Sequence, residues 1–340
     1  MLNAVNNERE IWVFSEHARG KLRAVTEELL HEARELSAGA WIVCAVSVSA
    51  NRDIIEQLAT AGAERIYCAD SPTFNDWAPV PCADFVIGLA RKRNPEIILF
   101  GGTDIGRDIA PRVASALRTG LTANCSSLRL GRYIDNNGRQ FDDVLLQIRP
   151  VIGRLSATIV TPESRPQMTT VREGALRRKN NVAKGRGEIV QVAIGNTSPA
   201  LQCKVISDIP AEEKPNLVGA ERIVAGGMGM GEAQGFKLLH ELAEAIGGQV
   251  GATRPAVDAG FTDHSRQIGQ TGLTVRPRLY IACGISGAAQ HTTGMSESET
   301  IIAINSDPTA PIFEMADYKI IGDVRRVIPA LISALRRKGT

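Results

Sequence analysis

Four short segments in the last third of the 340-residue chain collect the residue types that hold a charged ligand. They are Gly251-Ala252-Thr253-Arg254-Pro255, Gln267-Ile268-Gly269-Gln270-Thr271-Gly272, Gly284-Ile285-Ser286-Gly287-Ala288-Ala289-Gln290-His291 and Asn305-Ser306-Asp307-Pro308. Together they offer hydroxyls, carboxamides, one guanidinium and one imidazole, with glycines that let backbone approach a ligand. No Ser-His-Asp order, H-E-x-x-H or Walker motif accompanies them, so nucleophilic, zinc and phosphoryl-transfer chemistry lack support. Singly the signals are weak. A Gly-rich turn is more often a connection than a phosphate site, His291 alone reads first as a hydrogen-bonded structural histidine, and Arg254 alone reads as half of a surface ion pair.

The elements around these segments say where they should lie. Arg222 to Ala225 reads as a strand, Gly226 to Gly231 as a Gly-rich turn, and Phe236 to Ile246 as a helix with Leu239, Leu242, Ala243 and Ile246 on one face. Leu279 to Cys283 and Thr300 to Ile304 are further strands that empty into polar loops. Asp323 is a plausible N-cap for a closing helix whose Val324, Val327, Ile328, Leu331, Ile332 and Leu335 form an apolar stripe. In such α/β sheets ligands bind beyond the C-terminal ends of the strands, which is where the polar segments fall.

The first half alternates in the same way. Strands at Ile11 to Phe14, Trp41 to Val48, Arg65 to Cys68 and Ile97 to Phe100 alternate with helices over Leu22 to Leu36, Ile54 to Ala61 and Phe85 to Ala90. That alternation predicts a largely parallel sheet flanked by helices. Gly101-Gly102-Thr103-Asp104-Ile105-Gly106-Arg107-Asp108 then opens a helix ending near Leu117, and reads either as an anion site at a helix N-terminus or as a tight βα connection. From Leu128 to Val171 the rhythm changes to strands and turns, notably Asn136-Asn137-Gly138, which predicts an antiparallel extension. Residues 196–219 contain Pro199, Pro210 and Pro215 with Glu212, Glu213 and Lys214 and lack an apolar period, so they are read as a linker between an N-terminal domain, 1–195, and a C-terminal one, 220–340. The basic run Arg177, Arg178, Lys179, Lys184 and Arg186 is a solvated surface or a contact with a partner.

Composition removes several classes. Lys and Arg number 39 against 37 Asp and Glu, so no charge excess argues for nucleic acid or an anionic membrane. No apolar run approaches the roughly 20 residues of a transmembrane helix, and the polar segment Met1 to Glu10 lacks a signal-peptide core; both predict a cytoplasmic protein. Cys44, Cys68, Cys82, Cys125, Cys203 and Cys283 are scattered among apolar stretches without C-x-x-C or histidine partners, and read as reduced buried thiols.

The run from Val250 to Leu335 closely resembles the FAD domain of electron-transfer flavoprotein alpha subunits. It carries G-A-T-R-P-A-V-D-A-G, Q-I-G-Q-T-G, L-Y-I-A-C-G-I-S-G-A-A-Q-H, I-A-I-N-S-D-P-T-A-P-I-F and A-D-Y-K-I-I-G-D in order. The likeness continues, more weakly, through the first domain. It implies two α/β domains, the second a doubly wound FAD-binding domain, with the first packed on a beta subunit. It also implies a cofactor set of Thr253 and Arg254; Gln267, Ile268, Gly269, Gln270 and Thr271; Ser286, Gly287, Ala288, Ala289, Gln290 and His291; and Asn305, Asp323 and Val324. In that set Arg254 lies near the isoalloxazine and favours its anionic reduced forms, and Thr271 offers its hydroxyl to flavin N5. Ser286 to His291 give backbone amides and a helix N-terminus to the pyrophosphate, His291 reaches the pyrimidine edge, and Asn305 and Asp323 contact the adenosine half.

The implied role is outer-sphere electron transfer between a flavoprotein dehydrogenase, acyl-CoA dehydrogenase type, and an acceptor, with no catalytic side chain. Gly101 to Asp108, Leu145-Leu146-Gln147-Ile148-Arg149-Pro150 and Arg165-Pro166-Gln167-Met168 resemble the branch that bifurcates electrons from NADH with ferredoxin as a further partner. The alternative within the family is a simple carrier from acyl-CoA dehydrogenases to a quinone reductase. Outside it stand a nicotinamide-dependent dehydrogenase and a nucleotide-binding module without redox role; against the former, no acidic residue follows Gly226 to Gly231 at the spacing a dinucleotide fingerprint requires. Two departures stand out: Met228 where the family usually has Arg, and Gly153-Arg154-Leu155 in the first domain.

Overall fold

The computed structural model describes residues 8–18, 20–69, 79–150, 156–176, 187–193 and 217–338. These fall into two compact units, one within 8–193 and one within 217–338. The linker expected over 196–219 lies outside the described residues except for 217–219, and Leu217 is buried in the second unit's core. The basic run at 177–186, Gly153-Arg154-Leu155 and Cys203 also lie outside them.

In chain order the first unit contains β1 (Glu10–Phe14), a small ribbon of β2 (His17–Ala18) and β3 (Lys21–Leu22), α1 (Ala24–Ser37), β4 (Ile42–Ser47), α2 (Arg52–Thr60), β5 (Arg65–Ala69) and α3 (Pro79–Arg93). Next come β6 (Ile97–Gly101), α4 (Asp104–Leu117), β7 (Leu121–Cys125), β8 (Ser127–Ile134), β9 (Gln140–Pro150), β10 (Ser156–Ile159), β11 (Gln167–Val171) and β12 (Glu188–Val192). Seven strands form one parallel sheet in the order β12-β5-β4-β1-β6-β11-β7. Its central strands are buried on both faces, which is why they read as unbroken apolar runs. Ile11, Val13 and Val43 pack under α1 and α2 on one face, while Trp12, Phe14 and Cys44 pack under α3 and α4 on the other.

The antiparallel extension exists, but it is shorter than the sequence suggests. β8, β9 and β10 form a three-stranded sheet whose β8–β9 hairpin turns at Gly138, φ 80°. Gln167–Val171, expected in that extension, instead runs parallel between β6 and β7. Its polar residues hide a buried strand because each is paired: Gln167 accepts from Leu145 N at 2.8 Å and Thr169 donates to Thr122 O at 3.0 Å.

The second unit runs β13 (Arg222–Gly226), α5 (Gly235–Ile246), β14 (Gln249–Ala252), α6 (Arg254–Asp258), β15 (Leu279–Cys283), α7 (Ala289–Thr292), β16 (Ile301–Asn305), β17 (Tyr318–Ile321) and α8 (Val324–Lys338). All five strands are parallel in the order β14-β13-β15-β16-β17. Helices α5 and α8 cover one face through Phe236, Leu239, Ile328 and Ile332. The other face is closed by loop residues, including Ile268, Val275, Met295 and Ile312, against Ile223, Tyr280 and Ala303. Two strands escaped the sequence reading. β14 takes in Gly251 and Ala252, expected as loop, and β17 is an edge strand with exposed Tyr318, Lys319 and Ile321. The stripe on α8 is buried at Val324, Ile328 and Ile332, but Leu335 is exposed.

The described thiols Cys44, Cys68, Cys82, Cys125 and Cys283 are buried and form no disulfide with one another, and burial pushes Cys283 up to about 12. Among the described residues no helix is long and apolar enough to cross a membrane.

Candidate functional site

The order of the second sheet reverses between β13 and β15: the chain moves out to β14 on one side, then back across β13 to β15, β16 and β17 on the other. A crevice opens beyond the strand ends at such a switch point. A cavity of about 610 Å³ is lined there by residues from the loops after β13, β14, β15 and β16, together with the Ile268–Thr271 segment. That volume lies in the ordinary range for a cofactor site, about 300–1,000 Å³.

Glycine makes these loops fit. Gly284 has φ 60°, and a Cβ on it would lie 2.8 Å from Gly229 Cα, so the loops after β13 and β15 touch backbone to backbone. Gly287 has φ 94°, and its Cβ would meet the backbone of Ile312. Only glycine accepts both conditions.

The structure brings most of the expected residues to this wall. Thr253 and Arg254, Ile268 through Thr271, Ser286, Ala288, Gln290, His291 and Asn305 all line it. Gln267, Gly287, Ala289, Asp323 and Val324 do not. Gln267 is buried behind the wall and donates from Nε2 to Thr271 Oγ1 at 3.0 Å. Asp323 is the helix cap that its position suggested, accepting from Arg325 N at 2.8 Å, and the Val324 side chain sits in the apolar core under α8. The wall also includes positions outside the expected cofactor set, among them Gly227, Gly229 and Asp307. Their signal was the Gly-rich turn and the polar loop, both visible in sequence. Met228 lines the cavity and is half exposed, as its place in that turn requires.

Three features fit a dinucleotide. The backbone N–H groups of Ser286 through Gln290 donate to no protein acceptor among the described residues, leaving a run of donors for a diphosphate. The helix that follows them, α7, is a single turn of four residues. Thr271 Oγ1 already accepts from Gln267, so its hydroxyl hydrogen remains to donate. Arg254 stands on the rim with its Nε 3.3 Å from Asp258 Oδ2, an exposed i,i+4 pair worth about 0.5 kcal/mol that yields easily to a ligand.

His291 lines the cavity from a largely buried position. Its Nδ1 lies 3.0 Å from Ile268 O and its Nε2 3.0 Å from the Tyr280 hydroxyl. Burial pushes this imidazole down to about 4, with the Ile268 carbonyl opposing, so it is neutral at physiological pH. Asn305 is similarly engaged: one amide hydrogen goes to Ile285 O at 2.9 Å, and its carbonyl accepts from Asp307 N at 3.0 Å.

The Gly101–Asp108 turn in the first unit resolves toward its structural reading. Thr103 caps α4 by accepting from Gly106 N at 2.9 Å and donates to the buried Glu16 Oε1 at 2.9 Å. A carboxyl group in that place disfavours an anion.

Comparison with known proteins gives two matched domains. Residues 11–196 match the electron transfer flavoprotein domain, and residues 216–296 match the electron transfer flavoprotein FAD-binding domain. The electron transfer flavoprotein subunit alpha of Thermoanaerobacterium thermosaccharolyticum is 44% identical over 339 residues, covering 98% of this chain and 99% of that protein. Protein FixB of Clostridium saccharobutylicum is 42% identical over 95% of both chains. The acryloyl-CoA reductase electron transfer subunit beta of Anaerotignum propionicum is 37% identical, over 98% of this chain and 97% of that one.

Proposed function

This chain belongs to the electron transfer flavoprotein alpha-subunit family and its cofactor is FAD, and we propose that it holds that FAD in the switch-point cavity while relaying electrons from a partner dehydrogenase. The observation that carries the placement is the run of unengaged N–H groups from Ser286 to Gln290 on the wall of a cavity of about 610 Å³. These amides take the diphosphate. Thr271 donates toward the flavin's N5, held by Gln267, and Arg254 places positive charge where reduction leaves negative charge. FAD supplies the redox chemistry, and the chain supplies binding, orientation and electrostatics. No side chain need bond to a substrate.

The partners in this reading are a beta subunit, packed on the N-terminal domain over 1–195, and a flavoprotein dehydrogenase of acyl-CoA type. A relative named as an electron transfer subunit of acryloyl-CoA reductase supports that class of dehydrogenase. The motifs at Gly101–Asp108, Leu145–Pro150 and Arg165–Met168 favour the branch that uses NADH and ferredoxin over the simple carrier. Co-expression with a beta subunit, followed by NADH oxidation with and without ferredoxin, tests this. NADH oxidation that needs ferredoxin and an acyl-CoA-type dehydrogenase together supports bifurcation; electron delivery from the dehydrogenase alone, with no NADH turnover, returns the chain to the simple carriers.

A further inference from the structure

Helix α8 breaks a local rule at its start. The N-terminus of a helix is its positive end and favours acidic side chains. Yet the first turn of α8 holds no acid, and Arg325 and Arg326 follow Val324 there. Asp323 caps the end by accepting from Arg325 N, but the exposed Arg325 guanidinium has no hydrogen bond or ion pair among the described residues. An unpaired cation in an unfavourable field needs a reason outside its own helix.

Its position gives one. Met230, in the turn after β13, and Val324 pack in the same apolar core, and the Arg325 guanidinium lies against that turn, with Nη2 2.5 Å from where a Cβ of Gly231 would stand. On the other side Gly322 N, just before α8, donates to Asn305 O at the end of β16 at 3.0 Å. In the sheet, β15 is the strand between β13 and β16. The Arg325 side chain therefore spans from the β16 side to the β13 side past the end of β15, whose following loop carries the Ser286–Gln290 amides.

Charge says what belongs there. Apart from the His291 imidazole, the ionisable side chains on the cavity wall are Arg254 and Asp307, one of each sign. Arg254 stands after the edge strand β14, away from β16, and the turn after β13 offers only the uncharged Met228. A diphosphate on the Ser286–Gln290 amides is a dianion with no side-chain cation on the wall beside it. Arg325 comes to that gap from just outside the wall.

We propose that Arg325 is a cofactor-binding residue whose guanidinium closes over the loop after β15 and pairs with the FAD diphosphate, supplying the cation that Met228 does not. The proposal rests on the reading that this cavity holds FAD. It adds to that reading a residue of α8, outside the four polar loops.

The test is the release of FAD, on dilution at low and high salt, from the flavin-loaded complex with the beta subunit, as wild type, Arg325→Gln and Arg326→Gln. Flavin that Gly287→Val still holds is counted as lying outside this cavity and subtracted, since a Cβ at 287 meets the Ile312 backbone. Arg325→Gln should raise the FAD dissociation constant about tenfold, the effect of one charge-assisted hydrogen bond, and flatten its dependence on salt. Arg326→Gln removes the same charge about 100° round the helix and should change the constant by less than about twofold. An Arg325→Gln complex that holds FAD as the wild type does overturns the proposal. So does an equal loss in Arg326→Gln, which would mean a general field and not a placed guanidinium. A wild-type affinity indifferent to salt overturns it without any variant. Failure of the cavity reading looks different: Gly287→Val then holds as much flavin as the wild type, whatever Arg325 does.

Discussion

Glu16 and Thr103 meet at 2.9 Å beneath the turn that leaves β6, with the Thr103 hydroxyl donating to Oε1 of a carboxyl group that is 2% exposed. The same hydroxyl oxygen caps α4, and the second carboxyl oxygen, Oε2, has no partner among the described residues. Beside it lies a void of about 20 Å³, lined in part by Ser15, whose buried Oγ is likewise without a partner. Burial is the main reason this acid is pushed up to about 7, opposed by the Thr103 hydrogen bond and by Arg23, and assisted by Glu173 and Asp104.

That placement makes the first unit's stability depend on pH. The folded state holds the Glu16 proton more tightly than the unfolded chain, whose carboxyl has a value near 4.5. Stability from this group is therefore complete below about pH 4.5 and lost as the pH rises through about 7, a change of roughly 3 kcal/mol at about 1.4 kcal/mol per pH unit. Glu16→Gln should remove this fall, so that denaturant titrations of the complex at pH 5 and pH 8 differ less in the variant than in the wild type. An equal difference in both would show that Glu16 ionises normally.

Removing the rim cation should shift the flavin's potential. Arg254→Ala takes a guanidinium from a cavity wall while breaking only an exposed pair to Asp258, so the fold should be spared. The one-electron potential should fall, by about 59 mV for each tenfold change in the balance of reduced and oxidised forms. Spectroelectrochemical titration checks this, and unchanged potentials remove Arg254 from the flavin's surroundings.

Met228→Arg asks whether the missing family cation can be restored. Met228 is half exposed on the cavity wall, so the longer side chain has room. Arg325 already lies against the same turn, with Nη2 at 2.5 Å from where a Cβ of Gly231 would stand. The new guanidinium should therefore tighten FAD by less than a full charge-assisted hydrogen bond, below about 1.5–3 kcal/mol. In Arg325→Ala the same change should reach the larger value. Equal effects in the two backgrounds would show that Arg325 does not act on the cofactor.

Gly287→Val is expected to empty the cavity. The substitution forces a β-branched residue into φ 94° and drives a Cβ into the Ile312 backbone, a strain on the order of 1–3 kcal/mol before any clash is relieved. Flavin released on gel filtration, with the circular dichroism of the complex intact, is the expected result; full retention would mean that the loop after β15 does not shape the site.

How much of this was legible in the sequence depends on the residue. Buried parallel strands such as Ile97–Gly101 announce themselves because both faces are apolar, and the stripes on α1 and α5 because one face is. Gln167–Val171 did not, since a buried Gln and three consecutive polar or sulfur-bearing neighbours look like loop until their partners are known. Four polar loops were readable as a site because glycine and hydroxyl residues cluster after strands. The partners of the His291 ring nitrogens were not: they are Tyr280, eleven residues away, and a carbonyl, which every residue has.

The most direct test is a density map of the flavin-loaded complex with the beta subunit. The isoalloxazine should lie within hydrogen-bonding reach of Thr271 Oγ1, with the diphosphate on the Ser286–Gln290 amides. FAD bound elsewhere on this chain, or a map with this cavity empty and the complex fully active, would contradict the account.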